Sequence, residues 1–108
     1  MQETMETLAK LEALLAERKN ADPDTSYVAK LYAKGAKKIA QKVGEEAVET
    51  AMAVASDDNR ELVKESADLL FHLMVLLEAR GLTLADVVAE LARREGLSGL
   101  AEKANRPD

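Results

Sequence analysis

An all-α fold of four to five helices is predicted from three features of the sequence. Ala, Leu, Glu and Lys dominate the 108 residues, against five Gly and two Pro; such side chains lose little freedom in a helix, and few breakers interrupt them. Apolar residues recur at spacings of three and four, the period of one helical face. Clusters of turn-forming residues at Asn20 to Thr25, Ser56 to Asn59 and Gly81 cut the chain into helix-length pieces. Residues 1–108 form one domain, long enough for a single modest core and too short for two. With two Tyr, one Phe and no Trp, that core is aliphatic.

Leu8, Leu11, Leu14 and Leu15 mark an amphipathic helix over about residues 3–19. Asn20-Ala21-Asp22-Pro23-Asp24-Thr25 is a loop, because Pro disfavours helix before it and Asn and Asp favour turns. Thr25 or Ser26 caps a short second helix through Tyr27, Leu31 and Tyr32 towards Gly35. From Ala36 a longer helix runs to about Ala55, with Ala36, Ile39, Ala40, Val43, Ala47, Ala51 and Val54 as its expected core stripe. Asp58 and Glu61 have the spacing of a capping box for the next helix, roughly 59–80, which stops before Gly81. Thr83 with Asp86 starts another, carrying Leu84, Val87, Val88 and Leu91, and one or two further turns are expected around Leu97 to Ala104.

The absence of cysteine excludes disulfides, thiolate nucleophiles and Cys-based zinc sites. The N-terminus Met1-Gln2-Glu3-Thr4-Met5-Glu6 has neither the basic nor the apolar part of a signal peptide, so the expected compartment is the cytoplasm. The longest apolar run, Leu73 to Leu77, is far below membrane-spanning length. A net charge of −5 argues against nucleic acid as a partner. The charge is uneven, however: between Arg18 and Lys42 there are seven basic residues, Arg18, Lys19, Lys30, Lys34, Lys37, Lys38 and Lys42, against Asp22 and Asp24 alone. For any single lysine a solvated face is the ordinary reading. A basic surface leading into an acidic one is also what a polyphosphate with its metal uses.

The acidic surface is Val43-Gly44-Glu45-Glu46-Ala47-Val48-Glu49, followed after a turn by Glu65-Ser66-Ala67-Asp68. Each helical residue advances by about 100°, so Glu46 with Glu49, and Glu65 with Asp68, fall on one stripe of their respective helices. If these helices pack antiparallel, four carboxylates converge and repel one another unless a cation sits among them. Oxygen ligands of this kind suit Mg²⁺, or Mn²⁺. Glu46, nearest the apolar side, should be the most buried acid of its helix. The competing reading pairs these acids with Lys42, Arg60 and Lys64 on the surface, as helical glutamates commonly are. Asp68 weighs against that reading, because it interrupts the apolar stretch Ala67 to Leu77, where an unpaired carboxylate is costly. A ferritin-like di-iron site needs E-x-x-H from two helices, and the single histidine, His72, lies four residues beyond Asp68. His72 is expected to hydrogen-bond behind the ligands rather than bind metal.

Arg18-Lys19, Asp22-Pro23, Ser26-Tyr27, Gly35, Lys38-Ile39, Lys42-Val43-Gly44-Glu45-Glu46-Ala47-x-Glu49 and Glu65-x-Ala67-Asp68-Leu69-Leu70-x-His72 together resemble the phosphoribosyl-ATP pyrophosphohydrolases of histidine biosynthesis, over residues 8–94. The wider relatives are the all-α, MazG-like nucleotide pyrophosphohydrolases, which share the paired acidic motifs. The resemblance implies a MazG-like helical bundle completed by dimerisation. It also implies Mg²⁺-dependent hydrolysis of phosphoribosyl-ATP to phosphoribosyl-AMP and pyrophosphate. On this basis Glu46, Glu49, Glu65 and Asp68 are the expected metal ligands, and Glu45 the group that orients or deprotonates the attacking water. Lys38 and Lys42, with Arg18, Lys19 and Lys34, are the expected phosphate contacts. Two positions depart from the family pattern, Val28 where Thr is common and Phe71 where Tyr is common; each lacks a hydroxyl. A housecleaning (d)NTP pyrophosphohydrolase of the same fold, or a helical interaction module without catalysis, are the alternatives.

Overall fold

The computed structural model describes residues 2–95, and these form five α-helices and one 3₁₀ turn without a strand. The helices are α1 (Gln2–Glu17), α2 (Tyr27–Lys34), α3 (Ala36–Ala55), α4 (Asn59–Ala79) and α5 (Leu84–Glu95). The turns expected around Leu97 to Ala104 lie outside the described residues.

Local chemistry sets each boundary. After α1 the chain tightens into the 3₁₀ turn Arg18–Asn20 and becomes extended at Ala21, two residues before Pro23. Ser26 caps α2, its Oγ accepting from the Ala29 N–H at 3.2 Å. Gly35 separates α2 from α3 at φ 91° and ψ 163°, a region in which only glycine is comfortable. A Cβ at this position meets nothing within 4 Å, so Gly35→Ala is opposed by the backbone alone. That substitution is expected to cost about 1–3 kcal/mol, read as a lower melting temperature. An unchanged melting temperature would show that the α2/α3 corner has other ways to turn.

Asp58 caps α4 by accepting from the Arg60 N–H at 2.9 Å. The sequence spacing pointed to a reciprocal box with Glu61, but Glu61 instead lines a cleft with Glu49 and Glu65. Gly81, at φ 75°, ends α4 in a Schellman motif: its N–H donates to the Glu78 carbonyl at 3.0 Å and the Leu82 N–H to the Leu77 carbonyl at 2.8 Å. At α5 the capping box is complete, the Thr83 N–H donating to Asp86 Oδ2 at 2.9 Å and the Asp86 N–H to Thr83 Oγ1 at 3.3 Å. The Leu84 N–H then donates to Glu12 Oε2 at 2.6 Å, tying α5 to α1.

The core is Leu15, Leu31, Ile39, Met74 and Val75, where α1, α2, the start of α3 and the end of α4 meet. Each such side chain contributes about 1.5–3 kcal/mol by leaving water. Val28 and Phe71 pack against this cluster as apolar groups. Tyr32 reaches in from the side, its hydroxyl donating to the Leu15 carbonyl at 2.9 Å, and burial together with the nearby Glu78 pushes its pKa up to about 12.

The expected core stripe of α3 holds only at its beginning. Ile39 is buried and Ala36 and Val43 are half-buried, but Ala40, Ala47, Ala51 and Val54 are exposed, and the buried residues further along are Glu46 and Ala53. Ile39, Glu46 and Ala53 are spaced by seven, two helical turns, so they form the face that meets α4. A carboxylate thus lies on the buried face of α3, while Ala47, Ala51 and Val54, which the apolar count had placed inside, are turned outward. Its burial does agree with Glu46 being the most enclosed acid of the helix.

Candidate metal centre and phosphate pocket

Helices α3 and α4 are joined by Ser56 to Asp58 alone and therefore run antiparallel. This arrangement brings Glu46 and Glu49 of α3 against Glu65 of α4. One carboxylate oxygen from each lies within 4.8 Å of the others. Glu46 is 8% exposed, and Glu46 Oε2 and Glu65 Oε2 are buried without a hydrogen-bond partner. The only ion pair reaching this trio among the described residues is Lys64 Nζ to Glu65 at 3.8 Å, from a lysine that is itself two-thirds exposed. Asp68, half-buried on the next turn of α4, lies outside the 4.8 Å group, yet its charge acts on both Glu46 and Glu65.

Burial raises the pKa of Glu46 and of Glu65, and the adjacent Glu49 carboxyl raises both further. For Glu46 the neighbouring His72 works in the opposite direction. Without a cation, then, this corner favours a bound proton. An all-oxygen set with two buried, unpartnered oxygens fits a hard divalent ion, which satisfies those oxygens and removes the repulsion at once.

His72 is buried behind this set. Its Nδ1 lies 2.7 Å from the Asp68 carbonyl; a carbonyl can only accept, so Nδ1 carries the proton and donates. Nε2 lies 3.0 Å from the Tyr27 hydroxyl, which donates to the neutral ring and accepts from the charged one. Both ring nitrogens are engaged, as expected for a supporting group rather than a ligand. Phe71 flanks the pair, its ring 6.4 Å from that of Tyr27 and 5.2 Å from that of His72. Thr50 is a feature that the motif spacing did not single out. Its hydroxyl lies 2.8 Å from the Glu46 carbonyl and 3.1 Å from the Glu65 carbonyl across the helix pair. The signal was available, because Thr50 stands four residues after Glu46 and three before Ala53, on the same stripe.

Further towards the start of α3, Lys38 and Lys42 join Lys34 of α2 around a pocket of about 440 Å³, together with Leu31, Gln41 and Glu45. Glu45 accepts from Gln41 Nε2 at 3.1 Å and lies 4.0 Å from Lys42 Nζ. It borders the lysine pocket and is not part of the carboxylate trio. Arg18 and Lys19 are in the 3₁₀ turn, where Lys19 pairs with the buried Glu78 at 3.4 Å. Glu78 is 13 residues beyond Glu65 on α4, or about 20 Å along the helix axis. These two cations are therefore separated from the trio within one chain.

Clustered carboxylates on an antiparallel helix pair, one turn from a lysine-lined pocket and with no strand among the described residues, are consistent with the all-α, MazG-like class of hydrolases. A family model described as "Phosphoribosyl-ATP pyrophosphohydrolase" matches residues 8–95. Proteins named phosphoribosyl-ATP pyrophosphatase from Erythrobacter litoralis and Novosphingobium aromaticivorans are each 64% identical to the chain; the alignments cover 96% and 94% of it, and 100% and 94% of the relatives. The histidine biosynthesis bifunctional protein HisIE of Vibrio cholerae is 60% identical over 87 residues, 81% of this chain and 41% of that longer protein. The chain belongs to the phosphoribosyl-ATP pyrophosphohydrolase family and is a hydrolase.

Proposed function

We propose that this hydrolase cleaves phosphoribosyl-ATP to phosphoribosyl-AMP and pyrophosphate, in histidine biosynthesis and in the cytoplasm, with Mg²⁺ as cofactor and Mn²⁺ as its substitute. The substrate follows from the family; the observation that carries the chemistry is the Glu46, Glu49 and Glu65 trio with its two orphaned buried oxygens. These three, with Asp68 beside them, would hold the metal. The bound ion supplies neutralisation of triphosphate charge and a fixed orientation for its oxygens.

The rest of the work falls to the chain itself. Lys34, Lys38 and Lys42 bind phosphate oxygens from the neighbouring pocket. Glu45, which borders the lysine pocket and precedes Glu46 in the chain, orients or deprotonates the water that attacks phosphorus. Arg18 and Lys19 add to the positive potential that draws in a polyanion. Through its bond to the Asp68 carbonyl, His72 holds the α4 turn that carries Asp68.

The test is pyrophosphate release from phosphoribosyl-ATP and, in parallel, from a panel of dNTPs, with and without Mg²⁺. Selective, metal-dependent cleavage of phosphoribosyl-ATP is the expected result. Cleavage of dNTPs alone would move the chain to the housecleaning branch, and silence on both would leave the fold without this chemistry.

The proposal includes a homodimer. Val48, Met52 and Val54 of α3 and Val63 of α4 are exposed, Met52 at 66% and Val63 at 69%, on the helix pair that carries the acids. Two such surfaces, one from each copy, cover one another in a symmetric pair. Sedimentation at micromolar concentration should give a dimer; an active monomer would refute this part.

A further inference from the structure

We infer that Thr50 is a positioning residue that sets the spacing of the carboxylate trio by pinning α3 to α4; this rests on the metal-binding reading above. The Thr50 hydroxyl has one proton and two main-chain acceptors, the Glu46 carbonyl of its own helix at 2.8 Å and the Glu65 carbonyl of α4 at 3.1 Å. It touches the peptide units of the residues whose buried oxygens lack partners. Carboxylates apart, it makes the only side-chain hydrogen bond between α3 and α4 among the described residues. Fully buried apolar side chains are few at this level of the helix pair. The core is concentrated around Ile39, Met74 and Val75, about 15 Å further along the helices, and Ala53 is the one buried apolar side chain of α3 beyond Ile39.

A trio of like charges pushes the two helices apart. The hydroxyl bridge opposes that separation where the charges meet, and because it grips main chain rather than carboxylates, it leaves all their oxygens free for a ligand. Metal sites bind tightly when their ligands are held near the final geometry beforehand, and groups behind the ligands typically change affinity by about 10- to 100-fold. Thr50 supplies that restraint. It touches neither metal nor substrate, so its influence is carried entirely by the positions of Glu46, Glu49 and Glu65.

The experiment uses the full chain and the metal alone. Mn²⁺ and Mg²⁺ dissociation constants are measured for the parent, Thr50→Val, Thr50→Ser and Thr50→Ala, with the melting temperature of each metal-free protein. Valine keeps the shape and removes the proton. It is expected to weaken metal binding about tenfold, while Ser, which keeps the proton, returns to within about twofold of the parent. Should Val fold poorly, comparing Ser with Ala isolates the same proton. Equal affinities for Val and parent, or for Ser and Ala, overturn the inference and leave the metal site standing. Failure of the parent itself to bind either ion overturns both.

Discussion

Glu46→Gln is expected to lower kcat by about three orders of magnitude while raising the melting temperature of the metal-free protein. The rate loss corresponds to about 4 kcal/mol of transition-state stabilisation, within what a metal centre supplies to phosphoryl chemistry. The stability gain has a separate origin. Burial and Glu49 raise the Glu46 pKa above the usual 4.5, so the fold holds the protonated form better than the unfolded chain does. The stability contributed by this preference is complete below 4.5 and is lost as pH rises through the raised value. Glutamine imitates the protonated form at every pH. The metal-free variant should therefore melt above the parent at neutral pH, and the gap should close as the pH falls towards 4.5. Paired rate and melting measurements on one preparation check both halves. A variant that melts lower at all pH values would assign Glu46 a purely structural role.

The second large effect is that of the metal on the parent. At a Mg²⁺ concentration 100 times its dissociation constant, binding to the folded chain alone adds about 2.7 kcal/mol of stability. For a domain of this size that is a rise of about 10 °C or more in melting temperature. A chelator should reverse the rise and abolish pyrophosphate release together, and Glu46→Gln should show a much smaller rise. No shift at millimolar Mg²⁺ or Mn²⁺ would remove the cation from the site and leave the repulsion among Glu46, Glu49 and Glu65 unexplained.

Much of this molecule was legible because its determinants are local. Ser26, Gly81 and the Thr83/Asp86 box act within a few residues of themselves, so the helix ends could be read from spacing. The nearness of Glu46 and Glu49 was legible for the same reason, as three residues of helix place two carboxylates on one side, whereas Asp68, expected with Glu65, stands outside the group that Glu65 joins. What escaped depends on rotation and on distant partners. Counting apolar residues placed Ala47, Ala51 and Val54 inside, whereas α3 turns the stripe of Ile39, Glu46 and Ala53 towards α4. A count rewards apolar side chains and cannot recognise a face kept for charge. The Tyr27 to His72 bond joins residues 45 apart, which periodicity cannot show. Lys34, Lys38 and Lys42, spaced by four, share one pocket across the α2/α3 corner as that spacing suggests.

The bond from the Leu84 N–H to Glu12 joins residues 72 apart, whereas the α3/α4 pair closes across Ser56 to Asp58. In kinetic terms the hairpin loses little chain entropy on closing and the α1/α5 clasp loses more, so the hairpin forms early and the clasp late. The carboxylates are therefore expected to come together before the α1/α5 clasp is fastened, an order that pulse-labelled hydrogen exchange during refolding would check by earlier protection in α3 and α4 than in α5.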